Sequence, residues 1–260
     1  SAGVSEVWLA SPNPNDVTLA AAAIAGADAV LAVGGAQAIA ALAYGVGPVP
    51  ACDVVVGPGN RWVTAAKKLV AGRVGIDMLA GPSELVVVAD DSADPGTVAA
   101  DLLAQAEHDH AARPILVALS ADLADAGDLE IDSQLARLPT RGVADAALAN
   151  GFTVIVPDVE TAIAVCDRLA PEHLQVMTDD SPGVASKLEH WGGLFIGPMS
   201  PEVLGDYGAG PNHTLPTGGV ARYRGGLSVF DFLRVSTWLE IDNSETARQT
   251  VEDSVALARL

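Results

Sequence analysis

Long apolar runs, paired cysteines and basic charge are scarce in this sequence, and each shortage removes a class of protein. No apolar stretch reaches the roughly 18 residues needed to span a bilayer. The most apolar segments are rich in alanine and broken by Gly, Asp or Gln, which reads as buried helices and strands rather than a membrane partner. Cysteine occurs only at Cys52 and Cys166, without CxxC spacing and without a histidine at ligand spacing. A disulfide framework is therefore not expected, and a reducing, cytoplasmic location fits. Lys and Arg total 14 against 33 Asp and Glu, giving a formal charge of −19. So acidic a chain gains nothing from neutralising phosphates, and no nucleic acid partner is expected. The opening SAGVSEVWLASPNPND lacks the basic and apolar regions of a secretory signal. No GxGxxG follows a strand, and two prolines interrupt GVGPVPAC before any helix, so the standard dinucleotide fingerprint is absent.

What is present is an alternation of strand-like and helix-like segments. Strands are expected over 6–10, 29–33, 53–56, 84–89, 115–119, 152–156, 174–178 and 193–196. Helices are expected over 15–25, 36–44, 62–70, 95–109 and 159–169, with a short one between the last two strands. Asn13 or Asn15 can cap the first helix and Gly26 can stop it. Residues 122–139 are acidic and weakly patterned, and predict one or two short helices. Strand, glycine-rich turn and helix in succession is the grammar of a parallel α/β sheet. Between 198 and 226 glycine, proline and threonine dominate, a segment too long for a simple connector and so a functional candidate. A final helix is expected from about 244 to 260.

Four places can carry chemistry. Gln105 and His108, in DLLAQAEHDH, are three apart, so on a helix they share a face. An amide oxygen and an imidazole can hold a borderline metal such as zinc, although a solvated polar stripe would look the same. Glu172 and His173, in APEHLQV, pair a carboxylate able to activate water with an imidazole that takes a proton near neutrality. Asp206 and His213, in LGDYGAGPNHTLPTGG, sit among glycines that let backbone bend closely around a ligand. Gly57-Pro58-Gly59-Asn60 opens a helix whose N–H groups favour phosphate. A nucleophilic-cysteine dehydrogenase is a further reading, but neither cysteine has a suitable setting.

Taken together, these segments resemble histidinol dehydrogenase over nearly the whole chain. The blocks are GGAQAIAALAYG, GPGN, IDMLAGPSELVVVADDSADPGTVAADLLAQAEHD, APEHLQ and GDYGAGPNHTLPT, in the family's order. The resemblance implies an α/β fold of aldehyde-dehydrogenase-like architecture. It would have two incomplete Rossmann-like parallel-sheet units with helices on both faces, plus a C-terminal helical tail. The divisions would be 1–82 on the NAD side, 83–227 with the zinc and catalytic residues, and 228–260 as the start of a tail domain. It implies oxidation of L-histidinol to L-histidine through histidinal, using NAD and zinc. Gln105, His108 and Asp206 would be zinc ligands, and Glu172 and His173 the acid–base pair. Ser83 and His213 would contact substrate, as would Gln105, His108, His173 and Asp206. Gln37 and Asn60 would contact NAD. Family members extend beyond both ends of this sequence and form homodimers, in which a partner subunit's histidine completes the zinc site. The alternative is therefore a non-catalytic fragment that keeps the fold and part of the zinc or nucleotide binding.

Overall fold

Runs of β-branched residues bounded by turns form the central sheet of the computed structural model, which describes residues 2–206, 212–241 and 245–260. The side chains of Asp206, Glu245 and Thr246 lie outside that description. The chain starts with β1 (Trp8–Ala10), α1 (Asp16–Ala25), β2 (Ala29–Leu31), α2 (Gly35–Tyr44), β3 (Val54–Val55), α3 (Arg61–Val70) and β4 (Gly75–Ile76). Asn15 caps α1 by accepting from the Thr18 N–H, and Gly26 ends it in the left-handed region at φ 80°. These four strands make two parallel pairs, β1 with β2 and β3 with β4. Ile39, Leu42 and Ala43 of α2 and Ala66 and Val70 of α3 bury against Val55 and Val74.

The second part holds β5 (Glu84–Ala89), α4 (Pro95–Ala106), β6 (Arg113–Ala118), α5 (Ala121–Leu135), α6 (Arg141–Leu148), β7 (Phe152–Ile155), α7 (Val159–Leu169), β8 (His173–Met177), α8 (Ser181–Ala185), β9 (Gly193–Ile196) and α9 (Val203–Asp206). Its five strands run parallel in the order β7-β6-β5-β8-β9. Strand alternation sorts the side chains to two faces. Val86, Val88, Ile115, Val117, Leu174 and Val176 pack with Ala162 and Cys166 of α7 and Val184 of α8. Leu85, Val87, Ala89, Leu116, Ala118 and Met177 pack with Val98 and Leu102 of α4 and Leu123 and Ala124 of α5. Full burial of each such aliphatic side chain contributes roughly 1.5–3 kcal/mol. A sheet covered on both faces explains why β5 reads as an unbroken apolar run after Glu84. The last helix, α10, spans Glu245–Leu257. Among the described residues, no helix is long and apolar enough to cross a membrane.

Two helix readings need correction. Residues 121–135 form one helix of 15 residues, not one or two short ones. Ser120 caps it, and Leu123, Ala124, Gly127 and Leu135 give it a buried face that the intervening acids obscure. Helix α4 ends at Ala106, so His108 lies past its end. There the Asp109 carboxylate accepts from the Ala111 N–H and its carbonyl from the Ala112 N–H, a turn that sends the chain into β6.

Candidate functional site

The candidate catalytic residues gather at the amino edge of the five-stranded sheet. Glu84, Arg113, His173 and Gly193 are the first residues of their strands. Helix α4 starts after β5 and returns to the start of β6, which brings Gln105 and His108 to the same edge. His173 pairs in register with Leu85, and Gln175 with Val87, so His173 shares the α4-facing side of the sheet.

Local structure fixes Glu172 and His173 from both sides. Asp158 caps α7, and Ala170 ends it in the left-handed region at φ 47°, a conformation costing a non-glycine residue about 1–2 kcal/mol. Pro171 follows and turns Glu172 inward. The Gly193 N–H donates to the Glu172 carbonyl at 2.7 Å. A Cβ on Gly192 would stand 2.5 Å from that carbonyl oxygen, so the approach requires glycine. The 212–219 segment crosses the same edge. The Gly81 N–H donates to Thr217 Oγ1 at 2.5 Å, and the Gly218 N–H to Glu84 Oε1 at 2.9 Å.

These fastenings converge on a polar cluster. Glu172, 9% exposed, accepts through Oε2 from Ser83 Oγ at 2.6 Å and from the Glu84 N–H at 3.1 Å. His173, 2% exposed, has Nδ1 3.1 Å from the Glu84 carbonyl and 3.8 Å from Glu172 Oε2. Its Nε2 lies 2.9 Å from Nε2 of His213, with the two rings stacked at 4.7 Å between centroids. Glu202, just before α9, puts Oε1 3.5 Å from His173 Nε2 and 3.3 Å from His213 Nε2. The 3.3 Å contact is close in charge but not aligned as a hydrogen bond, and no donor among the described residues is aimed at Oε1.

The electrostatics follow from this burial. Desolvation pushes the Glu172 carboxyl up to about 7, against the opposing pull of the Ser83 and Glu84 hydrogen bonds. Desolvation pushes His173 down to about 4, which leaves it neutral at ordinary pH, and the Glu202 charge opposes that shift. Burial also acts to raise Glu202, but His213, His173 and His108 together hold it below the usual carboxylate range. Asp101, one turn before Gln105 on α4, is raised to about 6 by burial and then by Glu202.

The expected residues are brought together unevenly. Ser83 reaches Glu172, Glu172 lies beside His173, and His173 meets His213. Gln105 is fully buried, yet neither its Oε1 nor its Nε2 has a partner among the described residues. Burying an amide unpaired costs on the order of 1–3 kcal/mol, and a carbonyl oxygen so placed has the chemistry of a metal or substrate contact. His108 is exposed but near enough for its charge to act on both His173 and Glu202. The backbone of Asp206 closes α9, four residues after Glu202; its side chain, like residues 207–211 of the glycine-rich loop, lies outside the described residues. Gln37 and Asn60 sit in the other part of the molecule, exposed at the starts of α2 and α3. Asn60 Oδ1 accepts from the Trp62 and Val63 N–H groups, so it caps α3. The loop before it is clamped at Gly57. Asp77 Oδ2 accepts from the Gly57 N–H at 2.7 Å, and Lys67 Nζ donates to the Gly57 carbonyl at 3.0 Å while pairing with buried Asp77.

Glu202 was not foreseen. Its position four residues before Asp206, one helical turn, was the available signal. Among the described residues, the His, Cys, Asp and Glu side chains whose ligand atoms cluster within 4.8 Å are His173, Glu202 and His213. A depression of about 650 Å³ on the smaller part is lined by Ala43, Cys52, Asp53 and residues 71–76, and holds none of the site residues. Cys52 and Cys166 are both raised by burial, Cys166 to about 12, so neither is an activated thiolate.

The histidinol dehydrogenase family profile matches residues 1–260. Histidinol dehydrogenase of Thermus thermophilus is 49% identical over 259 residues, covering 99% of this chain and 63% of that protein. That of Parasynechococcus marenigrum is 48% identical over 249 residues, covering 94% and 57%. The chain spans about three fifths of the length of these curated relatives. The crystal structure of histidinol dehydrogenase from Elizabethkingia anophelis matches with TM-score 0.84 at 36% identity, over 88% of this chain and 54% of that one. An acetylating aldehyde dehydrogenase from Geobacillus thermoglucosidasius, 13% identical with TM-score 0.57 over 92% and 70%, shares the fold alone.

Proposed function

The chain belongs to the histidinol dehydrogenase family, and from that premise we propose that it carries the acid–base centre for the two-step oxidation of L-histidinol to L-histidine through histidinal. Each step removes a hydride and a proton, and the second also consumes a water. NAD, when bound, accepts the hydrides. His173 takes the alcohol proton at Nε2. The carbonyl of Glu84 can only accept, so Nδ1 carries the hydrogen and Nε2 keeps its lone pair. Glu172 deprotonates the water that adds to the aldehyde. Its carboxyl, raised to about 7, suits proton transfer near neutrality, and Ser83 holds it in orientation. His213 faces substrate from the other side of Nε2.

Zinc belongs to this reading, with Gln105, His108 and Asp206 as the residues that would hold it. Gln105's unpartnered amide oxygen supports that assignment. When bound, zinc supplies a fixed Lewis-acid template for the substrate's imidazole and amino groups. Gln37 and Asn60, at the starts of α2 and α3 where N–H groups favour phosphate, would receive NAD. The division into 1–82, 83–227 and 228–260, assembly as a homodimer and a cytoplasmic location complete the reading. The exposed apolar side chains of Val235, Trp238 and Leu239 support burial against another surface.

The observation that carries the proposal is the convergence of Glu172, His173 and His213, with the unsatisfied buried amide of Gln105 near the end of α4 as its companion. The test is to supply the purified protein with zinc, NAD and L-histidinol and measure NADH. Two NADH per histidinol are expected. Zinc binding without turnover would favour the non-catalytic fragment instead.

A further inference from the structure

We propose that Glu202 is a positioning residue for the base: its carboxylate holds the facing Nε2 atoms of His173 and His213 and supplies the counter-charge for the proton they share. The inference deepens the reading of His173 as base and rests on it. A carboxylate 2% exposed is costly to keep charged unless it is paired. Among the described residues, the ion-pair partners recorded for Glu202 are these two histidines, with no Lys or Arg. The acid Asp101 is close enough to be raised by it. A carboxylate placed beside a second acid, without a permanent cation, is poorly explained by stability. It suits a positive charge that forms during turnover.

The hydrogen inventory says where that charge forms. The Glu84 carbonyl fixes the His173 hydrogen on Nδ1, so in the neutral pair His213 must donate the hydrogen lying between the two Nε2 atoms. His173 can take the substrate proton at Nε2 only as the His213 N–H that occupies that lone pair turns away, and both the displaced hydrogen and the new charge then need an acceptor beside the pair. The oxygen within reach of both nitrogens is Glu202 Oε1. Among the described residues no donor is aligned on that oxygen, with His213 Nε2 nearest at 3.3 Å, which leaves it able to accept from either nitrogen. The same short helical turn fixes both partners. The Gly205 N–H bonds the Glu202 carbonyl at 2.8 Å, and a Cβ on Gly205 would stand 2.5 Å from His213 Nδ1.

The experiment compares the unaltered protein with Glu202→Gln and Glu202→Asp, each with zinc supplied. Turnover, zinc content and the ¹⁵N spectra of the imidazoles are measured. Glu202→Gln should lower kcat by about 100-fold, move KM for L-histidinol less than threefold and leave zinc content unchanged. Its His173 and His213 ring nitrogens should shift. Glu202→Asp, which keeps the charge, should recover part of kcat and confirm that a folded variant is being measured. Unchanged imidazole spectra, a kcat within twofold, or zinc lost in proportion to kcat would overturn the proposal, the last by making Glu202 a metal ligand. Should the unaltered protein fail to oxidise histidinol, the reading under Proposed function falls, while the imidazole spectra still decide the contact.

Discussion

Replacing Glu172 with Gln separates what the charge costs the fold from what it does in the reaction. Burial raises this carboxyl from 4.5 to about 7. At 1.36 kcal/mol per pH unit, ionising it in the folded protein costs on the order of 3 kcal/mol relative to the unfolded chain. The sign is unusual for a glutamate. A folded value above the unfolded one means that its stabilising share is complete below about pH 4.5 and is lost as pH rises through 7. The Gln amide stays neutral, and its carbonyl oxygen can still accept from Ser83 Oγ and the Glu84 N–H. At pH 4 the two metal-free proteins should therefore melt nearly together. At pH 8.5 the variant should melt several degrees higher, since about 1 kcal/mol moves Tm by roughly 2–4 °C in a chain of this size. Thermal melts by circular dichroism across pH 4–8.5 make the comparison. With substrate, the variant should lose activity by about 100-fold or more, and the unaltered protein's rate should climb through pH 7 as Glu172 ionises. A Tm difference that does not change with pH, or a variant less stable at pH 8.5, would refute the burial argument.

Other substitutions probe the neighbouring groups. His173→Asn should cost turnover about 100-fold or more while leaving zinc content intact; equal loss of both would contradict its role as base. His108→Ala should strip zinc and weaken substrate binding, and unchanged metal content would remove His108 from the ligand set. Gly192→Ala must push the Glu172 carbonyl away from a contact of 2.5 Å, with an expected stability loss of about 1–3 kcal/mol and a lower kcat; a denaturant midpoint and kcat within error of the parent would refute the close-approach argument.

Much of the larger sheet was legible because its local signals agree with its tertiary role. Glu84–Ala89 is an apolar run between turns, and Val159–Leu169 follows a capping Asp158, so both are read to the residue. Helix α5 was misjudged because Asp122, Asp125, Asp128, Glu130 and Asp132 interrupt its apolar spacing, while the narrow stripe it buries against α4 is visible only in three dimensions. The spacing of Gln105 and His108 suggested one helix face, yet the turn at Asp109 stops the helix first. Glu172 and His173 stood out as a dipeptide. Glu202 did not, because a lone acid in a proline- and glycine-rich stretch has no signature until the crossing segment brings His213 against it.

The central claim is that an acid–base cluster of Glu172, His173, Glu202 and His213 lies beside, and separate from, a metal position that includes Gln105. Anomalous scattering at the zinc edge, from crystals of the zinc-loaded protein, locates the ion directly. A peak within bonding distance of Gln105 Oε1 and His108, with Nε2 of His173 unligated, is the predicted result. A peak enclosed by His173, Glu202 and His213 would contradict the account, because the base would then be a ligand.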